Sequence, residues 1–168
     1  MYQMILISAC LVGHRVRYDG GVKTNELMLK YNERGRFLAV CPECFAMLPI
    51  PRPPMELQHT TGQKILAGKG RALDKTGKDT TEYLIAGAQK VLKIAEAYHV
   101  RVAILKESSP SCGTHLVHTG DFDGKKMKGM GVCAALLEQH GIKCYSEKDM
   151  TVGRLESLIA EDKLHDRQ

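Results

Sequence analysis

The residues in this chain best equipped for chemistry are thiols. Cys10 and Cys41 end the short apolar stretches MILISAC (Met4 to Cys10) and RFLAVC (Arg36 to Cys41), and Cys112 follows a third such run within VRVAILKESSPSCGTH (Val100 to His115). Runs of this kind read as buried strands. In the third, the apolar sequence stops at Leu105, and Lys106, Glu107, Ser108, Ser109, Pro110, Ser111, Cys112 and Gly113 follow. These are turn formers and small polar residues, placed where a strand leaves a sheet. If the sheet is parallel, all three thiols lie on one edge, the edge at which open α/β sheets bind ligands.

Three soft ligands from three strands suit an iron–sulfur cluster. Such clusters are usually held by four thiolates; with three, one iron keeps a free position and acts as a Lewis acid toward a polarisable atom such as sulfur. Cys41 and Cys44 also form a CxxC pair, which invites two further readings, a redox dithiol and half of a zinc site. Each has a gap. A redox pair usually opens a helix, and this one opens a proline-rich stretch. A zinc site needs a second pair, and Cys133 and Cys144 are eleven residues apart, on what read as a helix and a strand. His115 and His118 face opposite ways if their segment is extended.

The elements that position these thiols follow from periodicity. The first strand, Met4 to Leu11, feeds a loop with Arg15, Arg17, Asp19 and three glycines, and a short helix follows that Thr24 or Asn25 can cap. After the second strand, CPECFAMLPIPRPPMEL carries five prolines in thirteen residues (Pro42, Pro49, Pro51, Pro53 and Pro54). Its proline-dense part excludes a helix or central strand and predicts a stiff, extended wall for a pocket, with Arg52 presenting a cation to it. A short strand is expected around Arg71 to Leu73. The clearest helix runs from a cap at Asp79 to Thr81 through to His99, with Leu84, Ala88, Val91, Leu92, Ala95 and Tyr98 at helical spacing. It is the crossover to the third strand. HLVHTGDFDGKKMKGMG reads as a glycine-punctuated loop with a basic cluster at Lys125, Lys126 and Lys128. Gly131 to His140 reads as a helix, Ile142 to Ser146 as a strand, and Thr151 to Ile159 as a terminal helix with a polar tail.

The expected fold is therefore α/β, three-layered, with a mostly parallel sheet flanked by helices in a Rossmann-like topology. With 168 residues and 43% hydrophobic content, one domain is expected, with a core of residues 4–147 and a C-terminal helix and tail over 148–168. Nucleotide binding has no motif support, since Val22 stands where a phosphate loop needs glycine and no Rossmann glycine fingerprint appears. Apolar runs fall short of the roughly 20 residues of a membrane helix, and the N-terminus has no signal-peptide layout, so a cytoplasmic protein is expected. A formal charge of +5 is mild and is not by itself a nucleic-acid signature.

LISACLVGHRVRYDGG (Leu6 to Gly21), VCPE (Val40 to Glu43), LPIPRPP (Leu48 to Pro54), AILKESSPSCG (Ala103 to Gly113) and GVCAALLEQHGI (Gly131 to Ile142) together resemble the small bacterial thiouracil desulfurase family, long labelled a domain of unknown function. The resemblance runs from about Met4 to Glu147. It implies a [4Fe-4S] cluster with three protein ligands, which fall on Cys10, Cys41 and Cys112, and one open iron. It also implies that Glu43 and Ser109 assist a non-redox removal of sulfur from a thiolated nucleobase. Arg52 and Lys106 are expected at the substrate, with Asp19 at the edge of the base and Lys106 ion-paired to Glu107.

The chain departs from the family pattern at Cys44, where an aliphatic residue is commoner, and at Phe45-Ala46-Met47, which replaces a glycine-rich piece. Both changes lie beside the expected pocket and leave open another substrate, or a fourth thiol that closes the iron. Two other functions stay open: a redox protein using Cys41 and Cys44, and an enzyme or binding module for thiolated RNA using Arg15, Arg17 and the basic cluster.

Overall fold

In the computed structural model of the chain, which describes residues 3–165, four parallel strands form the central sheet in the order β2-β1-β5-β8. They are β1 (Ile5–Ser8), β2 (Phe37–Val40), β5 (Val102–Leu105) and β8 (Lys143–Ser146). β1 pairs with β2 from Ile5↔Phe37 to Ser8↔Val40 and with β5 through Leu6↔Ala103. β1 and β5 are the two strands that have a neighbour on each side, whereas β2, whose apolar run also reads as buried, lies at the edge.

Strand alternation divides the core in two. Leu6, Val40, Ala103 and Leu105 face one cluster, with Leu84, Ala88, Val91 and Ala95 of α4 (Thr81–Ala97) and Val132, Ala134 and Leu137 of α5 (Val132–Gln139). Ile5, Ile7, Phe37 and Ile104 face the other, with Met28 and Tyr31 of α1 (Glu26–Asn32) and Leu155, Leu158 and Ile159 of α6 (Val152–His165). The architecture is thus three-layer α/β, as the apolar patterning predicts. Asn25 caps α1, its side chain accepting from the Met28 N–H at 3.2 Å.

Several segments differ from expectation. The first strand does not reach Leu11, because the chain winds into a 3-10 turn over Ala9–Val12 where pairing with β2 and β5 ends, so Cys10 sits in that turn. Tyr98 is exposed, since α4 stops at Ala97 and the chain turns at His99 with φ 53°. Helix α3 (Gly62–Leu66), capped by Thr61, is too short for periodicity to predict. β3 (Met55–Leu57) pairs antiparallel with β4 (Ala72–Asp74). The supposed glycine-rich loop contains a hairpin, β6 (Leu116–His118) against β7 (Lys126–Lys128), each strand too short to show a period of its own. The C-terminal helix extends past Ile159, and residues 166–168 of the polar tail lie outside the described part.

The largest departure is at the CxxC. Instead of an extended wall from its first proline, Pro42–Phe45 forms a single helical turn, α2, with Cys41 at the N-cap and Pro42 in the first turn. Proline is suited to that place, where its missing N–H has no helical partner to lose. The stiff stretch begins only after it. Gly87 of α4 lets α2 dock closely: a Cβ there would lie 2.1 Å from the Pro42 carbonyl oxygen.

Candidate active site

Cys10, Cys41 and Cys112 line a single cavity of about 510 Å³ at the C-terminal edge of the sheet. Glu43, Arg52, Lys106 and Ser109 line it as well, and Asp19 does not. Each thiol arrives from a different element: the turn after β1, the N-cap of α2, and the loop between β5 and β6. Cys112 is close enough to Cys133, Cys41 and Cys10 for each to disfavour its ionisation.

Burial dominates the electrostatics of the thiols. It raises Cys10 against the opposing pull of Lys106 and Arg17, and it pushes Cys41 up to about 12, with the neighbouring Cys44 thiol adding to the rise. Burial raises Cys112 well above its ordinary value, and a hydrogen bond from Ser8 opposes it. These sulfurs can stand as thiolates only beside a compensating positive charge. Among the described residues, no three His, Cys, Asp or Glu side chains gather around one point that would hold a lone metal ion; the thiols ring a cavity.

The Cys112 loop is built around Glu107. Its buried carboxylate accepts from the backbone N–H groups of Ser108, Thr114, His115 and Leu116 at 2.9–3.1 Å and from the Thr114 hydroxyl at 3.1 Å. Ser108 has φ 65°, a conformation that costs a non-glycine residue roughly 1–2 kcal/mol and persists only when neighbours over-determine it. Gly131 supports the loop from below, where a Cβ would meet the Ser111 carbonyl carbon at 2.5 Å. Ser109 Oγ accepts from the N–H groups of Ser111 and Cys112 at 3.1 and 3.0 Å. With both acceptor positions taken, its proton is free to point into the cavity.

Glu43 stands in the first turn of α2, and its Oε1 accepts from Arg52 Nε at 3.1 Å. Its Oε2 has no partner among the described residues. Burial raises the Glu43 carboxyl above its ordinary 4.5, with Arg52 opposing. Arg52 also donates to the carbonyls of Pro49 and Val16, at 3.2 and 2.9 Å, so the guanidinium expected to meet substrate is engaged in holding Glu43.

Lys106 does not pair with the Glu107 carboxylate. Its Nζ lies 3.1 Å from Glu147 Oε1 and donates to the Glu107 carbonyl at 3.1 Å, because the Glu107 side chain turns back into its own loop. Asp19 is exposed on the loop after β1, where it accepts from the Gly21 N–H at 2.8 Å and lies 3.7 Å from Arg17.

A family model described as 2-thiouracil desulfurase matches residues 5–149. This chain belongs to the 2-thiouracil desulfurase family. The uncharacterized protein YbbK of Bacillus subtilis (strain 168) is 39% identical over 147 residues, covering 88% of this chain and 97% of YbbK. A solved structure of the [4Fe-4S]-dependent thiouracil desulfidase TudS (DUF523Vcz) superposes with a TM-score of 0.80 at 37% identity, over 94% of this chain and 98% of that one.

Within this 2-thiouracil desulfurase framework, several further residues build the site without a motif to mark them. Ser8 closes an apolar strand yet is buried, accepting from the Lys106 N–H at 2.9 Å while it bonds Cys112; a lone hydroxyl at a strand end was its signal. Glu147 also accepts from the Glu107 N–H at 2.8 Å. His118 lines the cavity beside its cross-strand neighbour Lys126, which needed the hairpin to be known.

Proposed function

We propose that this chain removes sulfur from thiolated pyrimidines such as thiouracil, releasing it as hydrogen sulfide, with Cys10, Cys41 and Cys112 holding a [4Fe-4S] cluster. The observation that carries the reading is the arrival of these thiols, from three separate elements, on one cavity that Glu43 and Ser109 also line. The donor set fits the group: three soft sulfurs, raised by burial, in a space larger than a lone ion requires. When bound, the cluster supplies an iron with a free position, a Lewis acid for the thiocarbonyl sulfur.

The side chains handle water and protons. Glu43, fixed through Oε1 by Arg52, offers Oε2 to a water directed at the ring carbon that bears sulfur, and burial, by raising its carboxyl, makes it a better proton acceptor than an ordinary exposed carboxylate. Ser109 presents its free O–H toward the departing sulfur. Lys106 spends two of its three donors on Glu147 and Glu107, leaving one for a ring carbonyl. Water and the thiocarbonyl become a carbonyl and hydrogen sulfide, and no electrons change hands.

A second reading, that the pyrimidine belongs to a nucleotide or RNA, is favoured by Lys23, Lys75, Lys126 and Lys148. All four line the cavity, and none has an ion-pair partner among the described residues. A KM that rises steeply with salt for a thiolated nucleotide, and stays flat for the free base, supports it.

The decisive experiment is anaerobic reconstitution of the full chain followed by incubation with 2-thiouracil. We expect brown protein with about four irons per chain, and uracil and sulfide in equal amounts. Cys112→Ser loses iron and turnover together, whereas Glu43→Gln keeps its iron and slows by about a hundredfold. Iron-free protein that still converts thiouracil overturns the proposal.

A further inference from the structure

The desulfuration reading uses Cys41 but leaves Cys44 without a task. Cys44 does not line the cavity. Its thiol turns instead to the Val16 carbonyl oxygen at 3.8 Å, the same oxygen that the Cys41 thiol meets at 3.9 Å. The two thiols also hydrogen-bond each other, and the Cys44 N–H donates to the Cys41 sulfur. Cys41 caps α2 and Cys44 is its third residue, so the two stand one helical turn apart on the same side. Ideal helix geometry puts their Cα atoms about 5 Å apart, inside the range of about 4.4–6.8 Å that a disulfide spans. The remaining thiols are placed differently. Cys144 is buried against the carbonyls of Ala134 and Ile142, and Cys133 is buried in the core at the start of α5.

We propose that Cys41 and Cys44 form a reversible disulfide in the cluster-free chain, a modification site that withdraws Cys41 from the cluster. The second half of this statement rests on the reading of Cys41 as a cluster ligand; the first half does not. The co-reactant is a low-molecular-weight disulfide. Cys41 borders the cavity and is reached first: its thiolate attacks one sulfur of the small disulfide, forming a mixed disulfide and releasing one thiol. Cys44, directly behind it, then attacks the Cys41 sulfur and releases the second thiol. Two electrons pass from the protein dithiol to the small disulfide, and the two protons leave with the thiols. While the bond stands, two of the three sulfurs remain for the cluster, too few to hold it. Reduction restores the third.

The test uses the full-length, cluster-free chain equilibrated with oxidised glutathione, quenched with acid, alkylated in denaturant and mapped by peptide mass. Cys41 and Cys44 should resist alkylation as a linked pair, while Cys10, Cys112, Cys133 and Cys144 are alkylated. Anaerobic reconstitution with iron and sulfide, without reductant, should give at least about tenfold less cluster in the oxidised chain than in the reduced one, recovered on adding dithiothreitol. Cys44→Ser should take up cluster equally well with and without prior oxidation. Free Cys41 after oxidation, a bond from Cys41 to any other cysteine, or a Cys44→Ser chain that oxidation blocks equally overturns the proposal. If the linked pair forms but the reduced wild-type chain takes up no cluster, the disulfide stands and the cluster reading of Cys41 falls. If cluster loads and no linked pair forms, the reverse holds.

Discussion

The segments that flank the end of β1, the helical turn following β2 and the loop following β5, each hold a carboxylate at the cavity, and their surroundings drive the two in opposite directions. Burial raises Glu43, and Arg52, with a smaller pull from Arg17, opposes it without prevailing. Burial also works against ionised Glu107, but the amides of Leu116, His115, Ser108 and Thr114 together outweigh it and hold the carboxyl below its ordinary 4.5. Donor number separates structure from chemistry here. A carboxylate surrounded by amides is a fixed anion that folds a loop, whereas one with a single partner and a free oxygen can exchange a proton.

Removing each group tests the contrast. Glu107→Ala strands four backbone N–H groups in the Cys112 loop, and we expect a loss of about 4 kcal/mol in urea unfolding; a loss under about 1 kcal/mol would show the loop to be held by something else. Arg52→Met leaves Glu43 buried without the guanidinium that bonds it, and with only the weaker pull of Arg17. Its carboxyl then rises further, and the acid limb of the desulfuration pH profile moves to higher pH, with turnover at neutral pH down about thirtyfold, the equivalent of roughly 2 kcal/mol.

Acid provides a smaller and directional test. Because the folded-state value of Glu107 lies below its unfolded one, its stabilisation is complete above about pH 4.5 and drains away as pH falls through the folded value. Glu107→Gln should flatten that part of the stability profile, and an unchanged acid slope would reassign it to other carboxylates. Asp19→Asn lies at the bottom of the scale. Its carboxylate is exposed and outside the cavity, so stability should change by less than about 0.5 kcal/mol, and KM for thiouracil should be indistinguishable from the wild type. A clear rise in KM would bring Asp19 back to the base.

The strands that deliver the three cysteines were legible because a strand covered on both faces must be apolar throughout, and Ile5–Ser8, Phe37–Val40 and Val102–Leu105 are nearly so. Helix α4 was legible for a similar reason: seventeen residues give its apolar stripe room to repeat. Short elements carry no such signal. The three-residue strands β6 and β7 exist through each other, and α2 is a single turn held by its docking on α4. The prolines after the CxxC therefore predict an extended wall where the chain opens a helix.

Local pattern alone settled the class of fold and which thiols stand at strand ends, since periodicity and turn chemistry act within a few residues along the chain. The partners of the charged groups were a matter for the tertiary structure. Lys106 meets Glu147 rather than its neighbour Glu107, Arg52 is spent on Glu43, and Asp19 stays outside the cavity. An ion pair depends on distance through space and on what else competes for the same donor, and both are decided only once the strands are side by side.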